Sequence, residues 1–227
     1  MAATIGAALA AAVAADPARP LLTFYDDGTG ERTELSGATL ANWVAKTANL
    51  LVDGLGLGEG DAALVDLPPH WQTAAVLLGC WSAGLTVAGE PPAEVAFATQ
   101  DRAAGHAGGA GDIYGLALAP MALPMRDAPP GVLDYVLEVR AFGDHFTPMG
   151  TVGPALPDVS QAELLARAAA AGHAPGTRLL FDAAAHPDPL DWLLAPLAAR
   201  ASIVLCAHAD PARLAKLAEV ERATVVS

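Results

Sequence analysis

The sequence predicts an α/β fold of β-α-β layered sheets. Three observations carry that expectation. Apolar runs at 62–67 and 85–88 bracket a helix from about 69 to 83, apolar on nearly all sides through Trp71, Val76, Leu77, Leu78 and Trp81, so strand, helix and strand follow one another. The last third repeats the alternation, with helix starts at Ser160, Asp188 and Asp210 interleaved with apolar runs at 178–181, 203–206 and 223–226. With 53% hydrophobic and 16% charged residues, a chain of 227 residues is long enough to bury a sizeable core.

The elements follow in order. Ile5, Leu9 and Val13 mark one stripe of an N-terminal helix that ends near Asp16-Pro17. No Lys or Arg precedes this apolar opening, the first basic residue being Arg19, and at about 14 residues it is too short to span a bilayer, so a helix is expected and a secretory leader is not. The runs 21–25 and 32–35 flank Asp26-Asp27-Gly28-Thr29-Gly30 as a β-hairpin. Ser36 can cap the next helix, whose buried face is Leu40, Trp43, Val44, Leu50 and Leu51, and Gly54, Gly56, Gly58 and Gly60 stop it. Residues 90–130 are rich in Gly, Ala and Pro, with strands at 95–99 and 113–118 and a mobile surface loop through Gly105 to Gly115; a helix follows at 132–139.

Ser160-Gln161-Ala162-Glu163 is a capping box, and Asp188-Pro189 and Asp210-Pro211 each set a capping carboxylate before a proline at the first helical position. Leu190, Leu193, Leu194 and Leu197 form the core face of the middle helix. The organisation read from this is an N-terminal α/β subdomain at 1–142, an irregular linker at 143–158 and a second α/β subdomain at 159–227.

A formal net charge of -13, spread over isolated carboxylates, argues against nucleic acid and against anionic membrane surfaces as partners. Cys80 and Cys206 lie far apart in apolar segments, as expected of buried free thiols in a reducing cytoplasm. None of the six histidines (His70, His106, His145, His173, His186, His208) pairs with another at helical metal-ligand spacing, so no metal is expected. His145 is of interest for its neighbour Asp144, an acid able to raise an imidazole pKa. Cys80-Trp81-Ser82-Ala83-Gly84 approaches a nucleophile elbow, but an elbow needs a strand before the serine and a helix after it, and here the order is reversed. Gly109 to Tyr114 lacks the third glycine of a dinucleotide fingerprint.

In order and spacing, residues 20–89 resemble the opening of the AMP-binding superfamily of acyl-CoA synthetases, luciferases and peptide-synthetase adenylation domains. A capped helix from Ser36, a G-x-x-x-G-D turn at Gly56 to Asp61, a helix begun after proline and an Ala83-Gly84 step into the next strand carry the likeness. Residues 188–226 are similar to the family's stretch after its phosphate loop. At that loop, written T-S-G-T-T-G-x-P-K-G in the family, this chain has Thr147 to Pro157: Gly150, Thr151 and Gly153 match, while Met149, Val152, Ala155 and Leu156 replace hydroxyl, threonine, proline and lysine. A loop that wraps triphosphate needs N–H groups, hydroxyls and a cation. The family's downstream nucleotide motifs and adenylating lysine have no counterpart before Ser227. The resemblance therefore implies a vestigial loop at Gly150, Thr151 and Gly153, no cofactor, no catalytic residue and a non-catalytic interaction or regulatory module. The alternative is an AMP-forming acyl-adenylate ligase using an unrecognised site or a partner chain. A homodimer through the last third is expected from the broad Leu and Ala faces and the closing strand.

Overall fold

The computed structural model describes residues 4–148 and 152–227. Its strands are β1 (Pro20–Asp26), β2 (Glu31–Ser36), β3 (Ala62–Asp66), β4 (Thr86–Ala88), β5 (Ala93–Thr99), β6 (Ala110–Leu116), β7 (Leu133–Asp134), β8 (Arg178–Asp182), β9 (Ser202–Ala207) and β10 (Thr224–Val225). Its helices are α1 (Ile5–Ala15), α2 (Gly37–Asn49), α3 (Trp71–Ala83), α4 (Tyr135–Val139), α5 (Gln161–Ala169), α6 (Ala195–Ala198) and α7 (Pro211–Glu221). The chain divides into two units interleaved in sequence, Met1–Ala41 with Pro68–Ala74 and Ala162–Ser227, and Asn42–Leu67 with Ala75–Gln161. A sequential division at 143–158 does not describe this partition, because residues 1–41 group with the last third of the chain.

The first unit holds a five-stranded sheet in the order β10-β8-β9-β1-β2. Asp26 shapes the hairpin between β1 and β2: its carboxylate accepts the Gly28 N–H at 2.8 Å and the Thr29 hydroxyl at 3.0 Å, and Gly30 takes a φ of 76° that favours glycine. On its other edge β1 runs parallel to β9, Leu22 opposite Ile203 and Phe24 opposite Leu205. Apolar side chains on these strands are buried on both faces, as in a sheet covered by crossover helices.

Polar side chains cross this sheet as a connected set. Arg178 donates to Glu221 at 2.6 Å and to Thr23 at 2.8 Å, Tyr25 donates its hydroxyl to Glu221, and Arg32 donates to the Tyr25 oxygen at 2.9 Å and to Glu34 at 2.8 Å. Burial is the largest single influence on Glu221 and pushes its pKa up, but hydrogen bonds from Tyr25 and Arg178 prevail and hold it below the ordinary glutamate value. Elsewhere in the unit His70 is buried against the Phe24 ring, at 4.3 Å between centroids, with the Glu31 carboxylate 3.9 Å from its Nε2. Its Nδ1 accepts the Gln72 N–H at 3.1 Å, so the neutral ring carries its proton on Nε2. Burial pushes the His70 pKa down, with Glu31 opposing.

The second unit holds a parallel sheet in the order β4-β3-β5-β6-β7. Small residues bring its parts close. Ala63, Ala96 and Ala98 are fully buried, a side chain at Gly111 would stand 2.6 Å from the Glu94 carbonyl oxygen, and one at Gly79 would stand 2.5 Å from the Thr47 Cβ. Phe97 stacks on Tyr114 with centroids 5.5 Å apart and meets Tyr135 edge-on at 5.9 Å. The buried Tyr135 hydroxyl is bonded to Thr47 at 2.7 Å.

Local readings differ in three places. Residues 132–139 are not one helix: Leu133 and Asp134 pair with β6, and α4 begins only at Tyr135, where Asp134 caps the Leu137 N–H at 3.0 Å. Gly111 and Gly115 belong to strand β6, where close packing explains them, and not to a surface loop. Asp188 does accept the Leu190 N–H at 2.8 Å, but the turn that follows, Leu190–Leu194, is a π turn before α6. Among the described residues no helix is long and apolar enough to cross a membrane.

Candidate functional site

Residues 147–157, which the sequence likens to a phosphate loop, lie in the second unit, and their described part is built into that unit. Gly150 and Thr151, two of the three matching positions, lie outside the described residues, as does Met149. Gly153 is described, and packing accounts for it: a Cβ there would be 2.4 Å from the Gly84 carbonyl oxygen. The buried Ala155 presents its carbonyl to the Trp81 indole N–H at 2.9 Å and to the Val87 N–H at 3.0 Å. The N–H groups of Ala155 and Leu156 both go to the Val159 carbonyl, at 2.8 and 3.3 Å. The Leu156 N–H, a donor that an anion loop would leave free, is thus committed within the chain.

Beside this segment is a cleft of about 260 Å3. Asn49 and Asp53 follow from the end of α2, Glu59 from the turn before β3, Ser82 from the last turn of α3, and Phe146 and Val152 from the loop segment. Asn49 donates both N–H bonds of its amide, to the carbonyls of Gly143 and His145 at 2.9 Å each, which tie the loop's approach to the helix end. Among the described residues that line the cleft, the charged ones are Asp53 and Glu59, with no Lys or Arg. Lys46, the lysine of α2, ion-pairs with Asp144 at 2.8 Å. Asp144 thus answers Lys46.

The remaining sequence candidates find ordinary places. Ser82 ends a helix and is followed by Gly84, with a φ of 91°, and then strand β4, the reverse of an elbow. Cys80 and Cys206 are buried free thiols whose pKa values burial pushes up to about 12. The described residues contain no group of three or more side chains able to hold a metal ion. A charged cluster that sequence spacing does not show stands past the carboxyl ends of β3 and β5: Asp66 meets Arg102 at 2.9 Å and His106 at 3.0 Å, across 36 and 40 residues of chain.

Two interleaved α/β units of this topology define an acyl-CoA synthetase-like fold. An acyl-CoA synthetase of Brucella canis matches with a TM-score of 0.73 at 16% identity, over 98% of this chain and 46% of that one. Acetoacetyl-CoA synthetase from Streptomyces lividans matches with a TM-score of 0.73 at 18% identity, over 97% of this chain and 41% of its own. This chain thus spans less than half the length of either synthetase. No protein-family model matches it. It is 45% identical over 234 residues to a TIGR03089 family protein of Mycobacterium tuberculosis (strain ATCC 25618 / H37Rv), covering 97% of this chain and 96% of that protein, and it belongs to that family.

Proposed function

We propose that this chain is an acyl-CoA synthetase-like protein without adenylating activity, acting as an interaction or regulatory module. The phosphate-loop position carries the reading. Leu156 stands where a cation is needed, the neighbouring N–H groups are engaged by Val159, and the adjoining cleft offers triphosphate two carboxylates. One observation favours a second reading, an AMP-forming acyl-adenylate ligase completed by a partner chain: the 46% and 41% coverage of the two synthetases. Incubation of the purified chain with Mg·ATP and a panel of fatty and small carboxylic acids is expected to release no pyrophosphate above the blank. Clear turnover overturns the first reading.

The module is expected to work in the cytoplasm as a homodimer. Strand β10 is an edge of its sheet, Val225 on it is 44% exposed, and Val220 near the end of α7 is 66% exposed. Light scattering after size exclusion is expected to give a doubled mass that falls in Val225→Lys. A mass near 22.9 kDa across a wide dilution range rejects the dimer.

A further inference from the structure

Helix α1 has no polar side chain from Ile5 to Ala15, yet only Ile5, Ala8 and Leu9 are buried. A helix apolar all round belongs in an interior, and here Ala10, Ala11 and Ala14 are exposed. Along this helix, wholly within the first unit, runs a cleft of about 290 Å3. Its walls come from Ala8 and Ala11 of α1, Leu165 and Ala169 of α5, and Leu197 of α6. Arg200 is its one charged lining residue among those described. It follows α6 with a φ of 52°, its backbone N–H bonded to the Leu197 carbonyl at 3.0 Å. No described residue takes up its guanidinium by hydrogen bond or ion pair, whereas Arg19, Arg32, Arg178 and Arg213 of the same unit are all engaged.

An apolar trough with one unengaged guanidinium complements a molecule with an alkyl chain and a single anionic head. A planar carboxylate matches the guanidinium fork, and the alkyl chain would cover the alanine and leucine walls. A cavity of ~150 Å3 takes benzene, so this one has room for roughly ten carbons. From this geometry we infer that the α1–α5–α6 cleft binds a free medium-chain carboxylate with its head on Arg200. The inference is independent of how the phosphate-loop segment is read.

Calorimetric titration of the full chain with sodium octanoate, kept below micelle-forming concentration, tests it, with octylammonium and 1-octanol as isosteric controls. Saturable one-to-one octanoate binding is expected, with octylammonium excluded. In Arg200→Gln octanoate should weaken about tenfold while octanol binding holds. Ala11→Trp, which fills the trough from an exposed helix position, should abolish both, with far-ultraviolet circular dichroism verifying that each variant is folded. The proposal is overturned by absence of saturable octanoate binding to the folded wild-type chain, by equal binding of octylammonium, by unchanged octanoate affinity in folded Arg200→Gln, or by association only with anionic phospholipid vesicles.

Discussion

In the first unit Thr23, Tyr25, Arg32, Glu34, Arg178 and Glu221 place charge and hydrogen bonds across the sheet, whereas in the second the strands close on one another through alanine, glycine and stacked aromatics. The contrast follows from which residues each sheet was given. Tyr25 of β1 and Arg178 of β8 must find partners once they are largely removed from water, and α7 supplies one in Glu221, while Arg32 and Glu34 of β2 join the set from exposed positions. The second sheet has few polar atoms to satisfy, so its constraint is steric. One unit should therefore be sensitive to loss of a charge and the other to change of volume.

The largest effect is expected from Phe97→Ala, which empties the space between Tyr114 and Tyr135 at a fully buried site and should destabilise by about 4 kcal/mol. Equilibrium denaturation checks it. Arg178→Met should destabilise by about 2 kcal/mol, because it leaves the largely buried Glu221 with only the more distant Arg32, at 3.4 Å, as a cation; the side chains of the Arg178–Glu221 pair are 16% and 11% exposed. A double-mutant cycle with Glu221→Gln should show coupling, which an independent role for each residue would not give. Near-equal losses in Phe97→Ala and Arg178→Met would blur the contrast between the units.

A smaller effect concerns pH. His70 has a folded pKa depressed below its ordinary value of 6.5, so below about pH 6.5 the unfolded chain binds the proton more readily than the folded one. Stability should decline as pH falls through that region. Glu31 and Glu221, held below the ordinary 4.5, extend the loss as pH falls further toward their folded values. Glu31 of β2 and Asp26 of β1 are the acidic groups that act on the His70 ring, so the His70→Phe variant should show a flatter stability profile between pH 7 and 5.5, and should keep the Glu221 part of the acid limb while losing the part of Glu31 that His70 holds down. An unchanged slope would assign the near-neutral dependence elsewhere.

How much of this was legible beforehand depended on range. The hairpin turn at Asp26, the Ser36 and Asp210 caps and most strands are local chemistry, and each is found in place, Asp210 accepting the Arg213 N–H at 2.7 Å and Ser36 the Thr39 N–H at 3.1 Å. The interleaving was not legible, since nothing around Leu22 announces a partner at Ile203. Two-residue strands such as β7 and the π turns at Leu50–Gly54 and Leu190–Leu194 carry no periodicity of their own. At the candidate site the substitution by Leu156 was readable directly. The acidic lining was not, because Asp53 and Glu59 reach the cleft from separate turns, nor was the packing role of Gly153 against Gly84, 69 residues earlier.

The central claim is that the phosphate-loop position no longer receives a nucleotide. Its most direct test is a calorimetric titration of the full chain with Mg·ATP, paired with thermal unfolding at the same concentrations. A site with a Kd of ~0.1 mM would add about 2.7 kcal/mol of stability at ~10 mM ligand, a shift that thermal unfolding resolves readily. The expected result is no saturable heat and no shift in Tm. A saturable one-to-one isotherm with a matching rise in Tm, both lost in Leu156→Asp, would contradict the account.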